Sequence, residues 1–145
     1  MFHAAAHIFV IDQKGNLILQ KRHKNMLLVP GKWDASAGGH ISAGETSQAA
    51  AARETKEEIG ATGVLHYLGK IEIHDTTEKY DNRERLFYYA MKTKNTIRYQ
   101  RSEVEKIARL PLDKVDAFLK THSHTPWMGK AWEKFRFRII KLGGN

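Results

Sequence analysis

Cysteine is absent from the chain. Its absence excludes disulfides, thiolate metal sites and cysteine nucleophiles, and it suits a cytoplasmic protein. No apolar run approaches the ~20 residues that a membrane helix needs, so no membrane partner is expected. The opening stretch, MFHAAAHIFVIDQKG, lacks a basic leader region and soon reads as a strand, so it is not taken for a signal peptide. There are no internal repeats, no low-complexity segment and no named nucleic-acid-binding motif.

The 145 residues suit one domain spanning 1–145, with an ordinary globular balance of 41% apolar and 28% charged residues. The formal charge is +8. The basic residues are scattered, with small clusters at Lys21, Arg22 and Lys24 and at Lys134, Arg136 and Arg138. Of three readings, a nucleic-acid surface, attraction of small phosphorylated anions and a plain soluble surface, the second is favoured over nucleic acid.

The patterning predicts strands over 3–11 and 17–22, joined as a hairpin through the turn DQKGN, and two short extended pieces between Trp33 and Ile41. A helix is expected from about Thr46 to Ile59, N-capped by Thr46 or Ser47 and stopped by Gly60. A long or broken strand (64–75), a polar loop (76–84), a strand with apolar residues on both faces (85–93) and a second polar loop (95–103) follow. The chain closes with a short strand (104–112), a helix from Leu112 to Lys120, a linker, and an amphipathic helix from Trp127 or Met128 to about Leu142. Strands mixed with helices in this order point to an α/β fold, a mixed β-sheet sandwiched between α-helices.

The chemistry concentrates in Gly39–Ala61, GHISAGETSQAAAARETKEEIGA. With Glu54 at zero on the helical wheel, Glu57 lies near ~300° and Glu58 near ~40°. Three carboxylates on one face repel one another, which makes sense where a cation sits. Oxygen ligands alone select hard ions, so Mg²⁺ or Mn²⁺ is the expected cofactor. Arg53 is one step round the helix, and Glu45 at the end of the preceding loop can pair with it. A solvated acidic face is the plainer alternative.

Gly39, five residues, Glu45, seven residues, then Arg53-Glu54-Thr55-Lys56-Glu57-Glu58-Ile59-Gly60-Ala61 resembles the Nudix box of the Nudix hydrolase superfamily. Two packing positions depart: Thr55 stands where the pattern has an aliphatic residue, and Ala61 is a small version of one. The resemblance implies the Nudix fold and hydrolysis of a nucleoside diphosphate linked to another group, X. It implies metal binding by Glu54, Glu57 and Glu58, joined by the carbonyl of Gly38, and a structural pair formed by Arg53 and Glu45. It implies a metal-activated water attacking phosphorus, with a carboxylate taking the proton. Glu54 is one candidate base; Glu103, Glu105 and Glu84 are others, each with a plain surface-charge reading beside it.

A narrower set, Gln20-Lys21-Arg22, Pro30-Gly31-Lys32-Trp33-Asp34, Gly39-His40 and Thr125-Pro126-Trp127-Met128, resembles the isopentenyl-diphosphate isomerase branch and its hydrolase relatives. Isomerases place a cysteine just before the Gly-His or Ser-His pair; here the stretch is Ser36-Ala37-Gly38-Gly39-His40. His3, His40 and Glu84 match only part of the isomerases' histidine-rich metal site. The isomerases also have a degraded Nudix box, whereas this chain retains Arg-Glu and Glu-Glu; that and the missing cysteine favour a hydrolase, and the alternatives are an isomerase and a non-catalytic nucleotide sensor. Lys21 and Arg22 can hold the distal phosphate, and His40 can touch phosphate, metal or only the loop backbone. Trp33 and Trp127 are read as core or pocket lining, and specificity as residing in loops 22–33, 75–84 and 94–103. The expected partner is a small diphosphate substrate, with a homodimer left open.

Overall fold

The computed structural model describes residues 3–25, 29–76 and 81–144. Parts of the expected specificity loops, residues 26–28 and 77–80, lie outside the described residues. Strands β1 (His3–Ile11) and β2 (Asn16–Arg22) form the expected hairpin. Asp12 makes the turn: its Oδ1 accepts from the N–H groups of Lys14 and Asn16 at 3.0 and 2.9 Å, and Gly15 takes φ 81°. Then come β3 (Trp33–Asp34), β4 (Ala37–His40), helix α1 (Ser47–Ile59), β5 (Leu65–Thr76), β6 (Asp81–Lys92) and β7 (Val104–Pro111). A 3₁₀ turn (Leu112–Lys114) leads into α2 (Val115–Thr121), and α3 (Pro126–Gly143) ends the chain.

The sheet is mixed. β1 runs parallel to β6, and the other pairs are antiparallel. Its path is β3-β2-β1-β6-β5, with β4 on β1 and β7 on β2. Strands β1 and β2 share only the pairs Val10↔Ile18 and Ile11↔Leu17 before they diverge. The segment 33–40 fills the fork: Trp33 and Asp34 pair with β2, and Ala37–His40 pair with β1. Buried Ser36 sits at the apex, where its Oγ accepts from Val10 N–H at 2.7 Å and donates to the Ile18 carbonyl. One hydroxyl thus satisfies two backbone groups that the splayed ladder leaves open.

Alternation divides the core between the two faces. Ala6, Ile8, Val10, Tyr89 and Met91 pack with Ala50, Ala51 and Ile59 of α1. Ala5, Phe9, Ile11, Leu86 and Tyr88 pack with Met128, Trp132, Phe135 and Ile139 of α3. Helix α1 begins at Thr46, whose hydroxyl accepts from Ala49 N–H at 3.1 Å, and stops at Gly60 in the left-handed region, φ 70°.

Two expectations need correction. The polar stretch 76–84 is not wholly loop, because β5 reaches Thr76 and β6 starts at Asp81. Backbone pairing in this hairpin does not require an apolar side-chain face. The helix expected over 112–120 is a 3₁₀ turn followed by a seven-residue α-helix. Trp33 is core, edge-on to Phe118 at 5.1 Å.

Candidate functional site

The fork between β1 and β2 opens into a polar cavity of about 380 Å³ under the acidic face of α1. Gln20 and Arg22 reach it from β2, Asp34 from β3, Gly38, Gly39 and His40 from β4, and Arg53, Glu54 and Glu58 from α1. His7 of β1 and Glu103, just ahead of β7, complete the rim.

Arg53 organises the acidic side. Its Nε and Nη2 donate to the two oxygens of Glu45 at 2.8 and 2.9 Å, its Nη1 donates to Glu54 Oε1 at 2.7 Å, and Nη2 also reaches the His40 carbonyl at 3.1 Å. The planar guanidinium therefore ties the loop, β4 and a site carboxylate together, which a lysine could not do. The Arg53 hydrogen bonds hold the Glu45 carboxyl down to about 2, and those from Glu45 and Glu54 raise Arg53 further above its usual value.

Glu58 is only 4% exposed. It accepts from Gln20 Nε2 at 3.1 Å and from Gly38 N–H at 3.2 Å. Burial first, and the adjoining Glu54 carboxyl second, push its own carboxyl up to about 9. Two carboxyls pressed together out of water need a shared proton or a cation. Gly39 is shaped to this pair: a Cβ there would lie 2.3 Å from the Glu54 carboxyl carbon. Paired buried oxygens and a side-chain-free strand beside them fit a hard divalent cation.

Glu57 does not line the cavity. Its side chain is 56% exposed and lies 3.6 Å from Arg53 Nη1. On the wheel it is only ~40° from Arg53 but ~100° from Glu58, so the side of α1 that faces inward carries Glu54 and Glu58 and leaves Glu57 at the solvent edge. Among the described residues no group of three or more His, Asp or Glu side chains stands preassembled around one point. Lys21 also lies elsewhere: it pairs with Glu105 at 3.2 Å, because alternation along β2 sends Gln20 and Arg22 to one face and Lys21 to the other. His40 is exposed and its Nε2 lies 3.4 Å from Glu84 Oε1, while Glu103 is an exposed rim residue.

Three cavity residues escaped sequence reasoning as site residues. Asp34 is buried, with Oδ1 accepting from Ala35 N–H at 2.8 Å and Oδ2 accepting from Trp127 Nε1 at 3.1 Å and Arg22 Nη1 at 3.5 Å. His7 interrupts the apolar run of β1, which was the available signal, whereas buried Gln20 opens the polar end of β2 and gave none. Burial lowers the His7 pKa below the ordinary histidine value.

The family model for the NUDIX domain matches residues 1–134. The chain belongs to the Nudix family. An uncharacterised Nudix hydrolase of Listeria innocua is 47% identical over 60 residues, covering 41% of this chain and 36% of that protein. An isopentenyl-diphosphate Delta-isomerase of Photorhabdus laumondii is 48% identical over 60 residues, covering 41% of this chain and 34% of that protein. The matched stretch thus spans about a third of these curated relatives. A MutT NUDIX hydrolase from Burkholderia pseudomallei superposes with a TM-score of 0.77 at 18% identity, covering 92% of this chain and 98% of that one. The mixed sheet between α1 and the C-terminal helices is accordingly the Nudix fold.

Proposed function

We propose that this Nudix chain is a metal-dependent pyrophosphohydrolase acting on a nucleoside diphosphate linked to a group X. The observation that carries the reading is the Glu54–Glu58 pair, brought together beside Gly38 and Gly39 in a polar cavity that Arg22 also lines. Glu54, Glu58 and the Gly38 carbonyl would hold Mg²⁺ or Mn²⁺, with Glu57 joining from the solvent edge. When bound, the ion cancels charge on the diphosphate and lowers the pKa of a water for attack on phosphorus. Arg53, with Glu45, keeps the Glu54 carboxylate aimed at β4. Arg22 and His40 take phosphate oxygens, and the proton from water goes to Glu54 or to Glu103 at the rim.

A metal-supplemented screen of nucleoside triphosphates, dinucleotides, sugar nucleotides and prenyl diphosphates tests this, with products identified. Cleavage between two phosphates is the expected result, abolished by excess chelator. Activity that survives chelator would overturn the metal assignment.

The similarity to an isopentenyl-diphosphate Delta-isomerase favours a second reading, isomerisation of that diphosphate. Gly38 occupies the position of the isomerases' cysteine, so the proton-transfer group is missing. Incubation with isopentenyl diphosphate should yield no allylic isomer; its formation would reverse the order of the two readings.

A further inference from the structure

Gly38 and Gly39 face opposite sides of the sheet. A Cβ on Gly39 would meet Glu54, whereas a Cβ on Gly38 would sit 3.0 Å from the His7 Nδ1. On the His7 side lies a second chamber of about 160 Å³, lined by Ala5, His7, Arg22, Glu84, Trp127 and the Gly38–His40 segment. It shares His7, Arg22 and the strand Gly38–His40 with the larger cavity, so a ligand held by Glu54 and Glu58 can extend into it.

The chamber is lined by a polar atom that makes no hydrogen bond among the described residues, the buried His7 Nδ1. It stops 4.0 Å from Asp34 Oδ1, an oxygen already bonded to Ala35 N–H. Behind His7, outside the chamber lining, the Tyr88 ring packs at 5.3 Å between ring centres, and its buried hydroxyl has no hydrogen-bond partner among the described residues. The Glu84 side chain, 14% exposed, has the His40 ring at 3.4 Å on one oxygen. Unpaired buried polar atoms are penalised, and they recur where a ligand supplies the missing partner. An apolar X, such as an isoprenyl tail, would leave the His7 Nδ1 dry and unpaired. A hydroxyl both donates and accepts, so a hydroxylated group suits an imidazole nitrogen and a carboxylate together. The volume, about five waters' share of the liquid, suits a compact sugar-sized group.

We propose that this chamber receives a hydroxylated group X and that His7 Nδ1, by hydrogen bonding to it, is the specificity-determining contact. The inference rests on the hydrolase reading for the placement of the diphosphate. A site built to hydrogen-bond a hydroxyl discriminates strongly against the analogue that lacks it.

The test compares ADP-ribose with an ADP n-pentyl ester in Mg²⁺, alongside calorimetric binding of ribose 5-phosphate and pentyl phosphate to the Mg²⁺-loaded protein. Wild type should prefer the hydroxylated member of each pair at least about tenfold. His7→Leu should abolish that preference through KM and Kd, and His7→Gln should restore most of it. Equal losses on both substrates, or an unchanged preference in His7→Leu, would overturn the proposal. So would a melting temperature several degrees lower in His7→Leu, since it would reveal a structural partner for the nitrogen. Hydrolysis without preference defeats the chamber assignment alone. Preference in binding without hydrolysis defeats the hydrolase reading and upholds the chamber.

Discussion

The two sides of β4 are built differently. Below Gly39, the polar groups Glu54 and Glu58 stand four residues apart on one helix, and Arg53 locks the first of them to Glu45 and β4. Below Gly38, the chamber draws His7 from β1, Arg22 from β2, Glu84 from β6 and Trp127 from α3. The acidic side is a local device that any helix with that spacing would present. The His7 side is assembled over long sequence separations and exists only where the strands have met. A family can therefore keep the helix-borne acids while the non-local side changes with each ligand.

That contrast rests most heavily on Glu58. Glu58→Gln should lower turnover about 10³-fold, because a lost metal ligand removes several kcal/mol of transition-state stabilisation. Glu57→Gln should also lower it, but by about tenfold, given its exposed position at the helix edge. Steady-state kinetics at saturating Mg²⁺ would check both, and unchanged turnover in the two variants would remove α1 from the site.

Gly39→Ala comes next. Its Cβ displaces the Glu54 carboxylate, and a misplacement of that size lowers turnover about 10²-fold. The fold should persist, measured as an unaltered circular dichroism spectrum. Gly38→Ala crowds His7 instead, so it should alter selection of X more than Gly39→Ala does.

A pH effect separates the sides more gently. The Glu58 carboxyl is raised in the folded chain to about 9, above its unfolded value of 4.5. Between those two values the native state holds more protons than the unfolded one, so stability falls as pH rises through that window. In chelator the melting temperature should drop by several degrees from pH 5 to pH 9. Glu58→Gln should flatten this slope, and Mg²⁺ should counter it at the alkaline end. His7→Leu should leave the Glu58 slope in place.

The smallest effect is expected at Trp127→Phe, which removes the indole N–H from Asp34 Oδ2. It should cost about 1 kcal/mol in urea unfolding, with Mg²⁺ affinity on the α1 side unchanged.

The legibility of the molecule follows the same division. The cap at Thr46, the stop at Gly60 and the pair Glu45–Arg53 depend on short spacings, and they stand where the spacing puts them. Wheel geometry groups Glu54, Glu57 and Glu58, but it cannot say which 40° of that arc faces the cavity. The packing of Ala50, Ala51 and Ile59 on the sheet turns Glu54 and Glu58 inward and leaves Glu57 beside Arg53. Alternation along β2 was enough to separate Arg22 from Lys21, once the strand's inward face was known. Asp34 and His7 gave only the weak signal of polar residues among apolar neighbours, and Gln20, at the polar end of β2, gave none. Their role comes from the β1–β2 fork, whose apex depends on the Ser36 hydrogen bonds.

By itself, then, the sequence determined the hairpin, the capped helix, its carboxylates and the arginine that orients them, because each depends on dihedral preferences and contacts within a few residues. It also excluded thiol chemistry outright. The tertiary structure alone decided which carboxylates face the cavity, which basic residue joins them and that the His7 Nδ1 beside Gly38 finds no hydrogen-bond partner among the described residues. Those outcomes depend on which strands pair and where they diverge, and that is settled by burial of the two core faces over the whole chain.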